Sequence, residues 1–519
     1  MPLGKRLLST ALLCATLPLA AQQTPTEHIA VDANAATTPF PHFWEHVFGS
    51  GRAHLALREP YRKDLEAVHE VTGFEYARFH GIFHDENGVY TEDIDGKPHY
   101  NWSTVDEIYD GLLKRHVRPL VELSFMPKAL AYNPDALHAF WYKQNVSGPK
   151  SMARWNDFMR AFAQHMIERH GIDEVSQWYF EVWNEPNLDF WIGVPQQKTY
   201  FEFYANTAKT LKSVSPRLRV GGPATSSAHW IPEFIAYMNA NHAPVDFVST
   251  HGYADDSTED YFDKTMDMPK DERVCKAIAK VHDQIKASAM PNVPLFWTEW
   301  SVQGQNNSRD TIFTGPGLAN TIRQCDGFVD EMSWWTFSDV FEEGGPILHP
   351  MSGQFGIRGK WGINKPAFYD YALLHKLGEK RIASTSDDAI ITRRADGSLV
   401  IAAWNIVDPD AANEKNEVDS EGRTKADAGI HGPEKTIELD LKGVAPNASL
   451  TIERVDATHG NVLPKFWAIG APDYPTEAQV TKLNAETALP APERAKLSNG
   501  KLTLKLTPNA LVLVTIAPR

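Results

Sequence analysis

Apolar and polar positions along this chain keep two rhythms, and the change between them falls near residue 379. Before it, apolar runs of strand length alternate with stretches where apolar residues recur every three or four positions, the spacing of one helix face. The clearest stripe passes through Trp155, Phe158, Met159, Phe162, Met166 and Ile167, and predicts a helix over 152–169. Strands are predicted at 40–47, 75–80, 118–123, from 178, at 218–222, 246–251, 294–301 and 331–337. Helices are predicted between and after them, at 61–71, 104–115, 199–214, 231–239, 273–287, 311–325 and 366–377. Eight strand–helix repeats across residues 40–378 predict an α/β fold, a (β/α)8 TIM barrel, with its chemistry at the C-terminal strand ends.

Beyond 379 the period becomes two. Asp396-Gly397 and Asn499-Gly500 are hairpin signals, Leu502, Leu504 and Leu506 alternate, and no helix of length is expected. Residues 379–519 therefore read as an antiparallel β-sandwich-like accessory domain, with a polar loop, long or mobile, at 408–436. Residues 22–39 read as a lead-in strand added to a later sheet.

The N-terminus changes the picture of where the protein works. Lys5 and Arg6 precede an apolar run from Leu7 to Ala20, and small residues at Ala20 and Ala21 offer a cleavage point, so residues 1–21 read as a secretory signal peptide. Export is expected, to the periplasm or the medium. The net charge of −15 argues against nucleic acid and anionic membranes as partners. Only Cys275 and Cys325 follow the signal segment, and sequence does not say whether they pair.

The chemistry concentrates in two stretches. Trp178-Tyr-Phe-Glu-Val-Trp-Asn184-Glu185-Pro186-Asn187 begins as a strand, and Pro186 stops it, leaving Glu185 at its C-terminal edge between aromatic neighbours. Pro294-Leu-Phe-Trp-Thr-Glu299-Trp300-Ser301 repeats the pattern. A single strand-end glutamate is most often a surface ion-pair partner. Two of them, both poorly solvated, are the equipment for glycosidic bond hydrolysis, at about 5–5.5 Å for a retaining mechanism and about 6.5–9.5 Å for an inverting one.

Other residues gather at the same strand ends. Arg78 and His80 share one face of the second strand, where Arg78 would hold a carboxylate ionised. His251 and Tyr253 close the sixth strand, suited to sugar hydroxyls or to a contact with the nucleophile. Alternation brings one of Trp334 and Trp335 into the mouth without saying which, and Glu342 and Glu343 follow as a solvated pair or a clamp on sugar hydroxyls. His42-Phe-Trp-Glu45-His46 spells the H-x-x-E-H zinc pattern, but it follows Pro41 and fits the first strand, not the helix that pattern needs. No metal and no cofactor is expected.

Together, Glu-Val-Trp-Asn-Glu-Pro-Asn, Thr-Glu-Trp-Ser, Arg-Phe-His-Gly, His-Gly-Tyr and Phe-Ser-Asp-Val-Phe-Glu-Glu resemble glycoside hydrolase family 39, and its β-xylosidase branch in particular. The resemblance implies Glu185 as acid/base and Glu299 as nucleophile. It also implies a substrate-binding set of Asn184, His251, Tyr253, Trp335, Glu342 and Glu343; the shared strand face adds His80 to that set and gives Arg78 the support of the nucleophile. The expectation is a retaining exo-β-1,4-xylosidase acting on short xylo-oligosaccharides. The alternatives are an iduronidase or exopolysaccharide hydrolase on the same scaffold, or a non-catalytic carbohydrate-binding barrel. Monomer and homo-oligomer stay open.

Overall fold

The computed structural model describes residues 25–409 and 417–518. The expected signal peptide therefore lies outside the described residues, as do residues 410–416 of the expected loop.

Eight parallel strands close a barrel in chain order: β1 (Val47–Gly49), β2 (Tyr76–Phe79), β3 (Arg118–Glu122), β4 (Tyr179–Glu181), β5 (Arg219–Thr225), β6 (Phe247–His251), β7 (Leu295–Trp300) and β8 (Glu331–Trp334). Closure comes from Ser333 opposite Val47 and Trp334 opposite Phe48. The helix Met152–His170 shows why the layers form. Ser151 caps its first turn by accepting from the Arg154 N–H, Gly171 ends it at φ 81, and Trp155, Phe158, Met159 and Phe162 are buried on one face. Each such side chain contributes about 1.5–3 kcal/mol on leaving water.

The first strand is shorter than its pattern predicts. Residues 42–46 form a turn closed by the Glu45 N–H on the His42 carbonyl at 3.1 Å, and Phe43 and Trp44 are buried in the core. The eighth strand ends at Trp334, although the Trp335 and Phe337 amides still bond Trp300 and Gly49 carbonyls. Cys275 and Cys325 are joined in a disulfide that links the helices Lys270–Lys286 and Thr314–Cys325 on either side of β7.

Beyond the barrel stand a seven-stranded and a three-stranded sheet. Ile29, Val31, Leu439 and Leu504 of the small sheet share one core cluster with Ile401, Leu450 and Val514 of the large one. The lead-in segment joins both: Thr26–Asp32 lies in the small sheet and Thr37–Pro39 edges the large one. Two expectations are corrected here. The ladder of Thr26–Asp32 with Lys435–Lys442 is parallel, so the accessory sheets are not purely antiparallel. A helix of eleven residues, Glu477–Thr487, stands where none was expected, started by a Thr476–Gln479 capping box and burying Val480 and Leu483.

The polar stretch after residue 417 is anchored. Thr424 donates through its N–H to the Met351 carbonyl at 2.7 Å and through Oγ1 to Asp310 at 2.7 Å, which ties it to the loops above β7 and β8.

Candidate active site

Arg78, fully buried on β2, is the centre of the barrel floor. Its Nε donates to Glu181 Oε2 and its Nη1 to Glu299 Oε1, each at 2.6 Å. Nη2 reaches Asn184 Oδ1 at 2.9 Å, and it also lies 2.9 Å from Glu122 Oε2. A delocalised guanidinium suits this position because its fixed fork of donors serves several carboxylates at once. Glu181 is held from its other side by Thr298 Oγ1 at 2.8 Å.

The two candidate glutamates stand over this floor by departures from regular strand geometry. β4 ends at Glu181, the chain turns through left-handed conformations at Trp183 (φ 74) and Glu185 (φ 41), and the Glu185 N–H bonds the Ala224 carbonyl near the C-terminal end of β5 at 2.8 Å. Glu185, His251 and Glu299 bring one ligand-type atom each within 4.8 Å of one another. Their partners differ sharply. Glu299 accepts from Arg78 at 2.6 Å and from the Tyr253 hydroxyl at 2.6 Å. Glu185 has His251 Nδ1 at 3.0 Å. Arg78 Nη2 lies 3.3 Å from His251 Nε2, so that nitrogen accepts and Nδ1 carries the ring proton. Burial lowers the His251 pKa to about 4, which keeps the ring neutral. Burial raises Glu185 to about 7, against the pull of His80 and Arg78. It also raises Glu299, where His251 and Arg78 pull in the opposite direction.

The aromatic fence expected around Glu185 is not there. Trp183 turns outward, donates to the Phe190 carbonyl at 2.7 Å and packs edge-on against Trp191 and Phe203. The strand ends at Glu181, two residues before Trp183, so the alternation its composition suggests does not reach that side chain.

The opposite wall rises from β2 and the loop after β8. His80 Nδ1 meets Glu122 at 2.7 Å, and its Nε2 lies 3.5 Å from Glu343 and 3.8 Å from Glu299. Burial disfavours the imidazolium, but Glu122 and Glu343 outweigh it and raise His80 to about 10. Trp335 is the tryptophan that faces in: its ring lies 4.8 Å from His80, and a Cβ on Gly49 would meet it at 2.1 Å. Trp334 packs instead on Trp300 and Tyr371.

The two adjacent glutamates part company. Glu342 is clamped by Arg52 at 2.7 Å and Arg58 at 2.5 Å, which hold its carboxyl below its usual range despite burial. Glu343 faces His80, and burial raises it. Glu122, Glu181, Thr298, Arg52 and Arg58 were not singled out from sequence. A usable signal existed for two: Glu122 and Glu181 each lie within an apolar run of the sequence, positions where a charge needs a partner.

Two clusters have metal-ligand composition among the described residues. At the Glu185, His251 and Glu299 group, Arg78 already holds a cation 2.6 Å from Glu299, and the facing atoms bond one another. The H-x-x-E-H residues separate: His42 and His375 both meet Glu45 Oε1, at 2.6 and 2.9 Å, while His46 pairs with Glu331 at 3.2 Å. No helix aligns them, and Glu45 serves as a buried anchor between the turn before β1 and the end of the last barrel helix, Pro366–Leu374.

A closed eight-stranded barrel with two closely spaced glutamates at the ends of its fourth and seventh strands defines a glycoside hydrolase. The chain belongs to glycosyl hydrolases family 39, whose family model matches residues 27–502. It is 35% identical over 489 residues to a beta-xylosidase of Geobacillus stearothermophilus, covering 91% of this chain and 92% of that protein. A monomeric beta-xylosidase from Caulobacter crescentus CB15 superposes with a TM-score of 0.81 at 33% identity, over 95% of this chain and 99% of that one. Human alpha-L-iduronidase is similar over a shorter stretch, 29% identical across 238 residues, 43% of this chain and 34% of that protein.

Proposed function

We propose that this chain is a retaining exo-β-1,4-xylosidase that releases xylose from the non-reducing end of short xylo-oligosaccharides. The observation that carries the mechanism is the unequal partnering of two close carboxyls. Glu299, with an arginine and a phenol donating to it, is built to be an anion. Glu185, with one neutral imidazole N–H and a pKa of about 7, is built to hold and return a proton.

In the first step Glu299 attacks the anomeric carbon while Glu185 gives its proton to the departing glycosidic oxygen. The C–O bond to the leaving sugar breaks and a glycosyl ester on Glu299 forms. With the negative charge on Glu299 spent, the Glu185 pKa falls and its carboxylate takes a proton from water. That water displaces Glu299 and restores the starting configuration. Asn184, whose Oδ1 is held by Arg78, keeps its amide N–H groups for the sugar 2-hydroxyl. Tyr253, Trp335, His80 and Glu343 bound the rest of the sugar. Glu342 acts at one remove, holding the loop through Arg52 and Arg58.

The relatives' names support xylose as the substrate sugar, and the site adds a reason to set iduronate aside. Arg52, Arg58 and His80 are each already neutralised by a carboxylate, so none waits for a uronate. Export belongs to the same proposal: the leader-like N-terminus and the Cys275–Cys325 disulfide both fit an oxidising compartment.

A panel of nitrophenyl glycosides (β-xyloside, β-glucoside, α-arabinoside, α-iduronide) tests the assignment. The β-xyloside should react fastest, with a lead over the β-glucoside of about 10–200-fold, the range one extra group in a pocket commands. A faster glucoside or iduronide overturns the substrate assignment, and no turnover of any member returns the chain to the non-catalytic alternative.

A further inference from the structure

The loop between β3 and the helix Met152–His170 is long, and it does not stay near β3. It is braced across itself by bridges from Ala131 to Pro149 and from Leu137 to Asn145. Its tip then reaches past β2 and β1 to the loop after β8. The Trp141 N–H bonds the Glu343 carbonyl at 2.8 Å. The Trp141 indole lies over Gly345, where an added Cβ would meet Cδ1 at 3.2 Å. The Arg52 guanidinium, 2.7 Å from Glu342, also sits 5.8 Å from the Trp141 ring and 5.0 Å from that of Tyr142. Trp141 is nevertheless 54% exposed, so its indole is held from beneath and presents a face outward.

The site has two sides, and chemistry assigns them. A leaving sugar must lie beside its proton donor, on the side of Glu185 and the loops above β4, β5 and β6. The sugar being transferred then points its far carbon, C4, the other way. That way lie His80 and Glu343, and the Glu343 carbonyl accepts from the N–H of Trp141, which is seated on Gly345.

Building on the β-xylosidase reading, we propose that Trp141 and the Glu342–Gly345 turn form a barrier at the non-reducing end. It occupies the space a second sugar beyond the transferred one would need, and so confines the enzyme to removing single residues. The rotamer-poor indole suits a wall because ordering it costs little, and Gly345, at φ 95, offers it a close surface without a side chain.

The test is the first-turnover product ratio on 4-nitrophenyl β-xylobioside. Wild-type enzyme should release xylose and 4-nitrophenyl β-xyloside, with nitrophenol appearing after a lag. Trp141→Gly should release xylobiose together with nitrophenol and no lag, raising the xylobiose-to-xylose ratio by about tenfold or more. The ratio does not depend on how much of a preparation is folded, and Trp141→Ala, a milder change, should move it in the same direction. An unchanged ratio in both variants overturns the barrier. So does a variant whose only defect is a raised KM for xylobiose, which would put Trp141 on the leaving-group side. If the wild type cleaves neither the xylobioside nor the β-xyloside, it is the β-xylosidase reading that fails.

Discussion

His251 Nδ1 lies 3.0 Å from Glu185 Oε1, and the ring is oriented for that contact by Arg78, which faces the other nitrogen at 3.3 Å. A neutral histidine thus gives its single N–H to the acid/base candidate, while the arginine that sets its tautomer also grips the nucleophile candidate.

A pH profile follows from this pairing. Burial raises Glu185 to about 7, so the proton it must donate is present below that pH and is lost as pH rises through it. For xylobiose, kcat/KM should fall about tenfold per pH unit above that limb. For an aryl xyloside with a dinitrophenyl leaving group, which needs no protonation, the limb should be absent. Equal limbs for both substrates would remove Glu185 from the acid role.

Tyr253 makes a complementary prediction on the acidic side. Its hydroxyl donates to Glu299 Oε2 at 2.6 Å and favours the carboxylate. Tyr253→Phe removes a hydrogen bond to a charged group, about 1.5–3 kcal/mol, which corresponds to an upward move of the acidic limb by about 1–2 pH units. The raised Glu299 pKa means activity is lost at low pH first. An unmoved acidic limb would contradict the contact's role.

Arg78 should matter to the fold as well as to the reaction. Arg78→Met leaves Glu122, Glu181 and Glu299 buried around a missing cation, and breaking such a network costs about 3–5 kcal/mol. Without the guanidinium the Glu122 and Glu299 carboxyls lose a charge that lowers their pKa values, so the deficit should shrink as pH falls and these two acids take up protons. Denaturant unfolding at neutral and acidic pH reads this directly. A midpoint equal to wild type at neutral pH would refute it.

Glu342 and Glu343, adjacent and chemically identical, should respond differently. Glu343→Gln should lower kcat/KM on xylosides with the melting temperature nearly kept, because its carboxyl faces His80 in the sugar site. Glu342→Gln should lower the melting temperature, because Arg52, itself buried, loses one of its two anions and keeps only Glu86. The opposite pattern would exchange their assignments.

Much of this was legible in the chain. The alternation of strand and helix gave the barrel because each layer buries one face, and that face has a period that survives in sequence. Glu185 and Glu299 stand out as candidates because each follows or ends an apolar run, although β4 itself stops at Glu181. Period two paired Arg78 with His80 correctly, yet it could not choose between Trp334 and Trp335. That choice rests on Gly49, a residue on a strand far away in sequence, whose missing side chain admits the Trp335 ring. Glu122 and Glu181 were passed over because their meaning lies in sharing Arg78 across three strands. The helix Glu477–Thr487 was missed although its capping box is local, because the surrounding period-two pattern drew the whole segment into the β reading. Trp183 does not flank Glu185, because β4 stops at Glu181 and left-handed backbone at Trp183 breaks the alternation beyond it.

The most direct test of the central claim is azide rescue of the two alanine variants on an activated aryl xyloside. Glu185→Ala should still form the glycosyl ester and then stall, since no base activates water. Added azide should restore turnover and give a β-configured xylosyl azide. Glu299→Ala, lacking the group that attacks, should not pass through a covalent intermediate. If azide instead rescues Glu299→Ala with a β-configured product, while Glu185→Ala yields only an α-configured azide or none, the two roles are exchanged and the account is wrong.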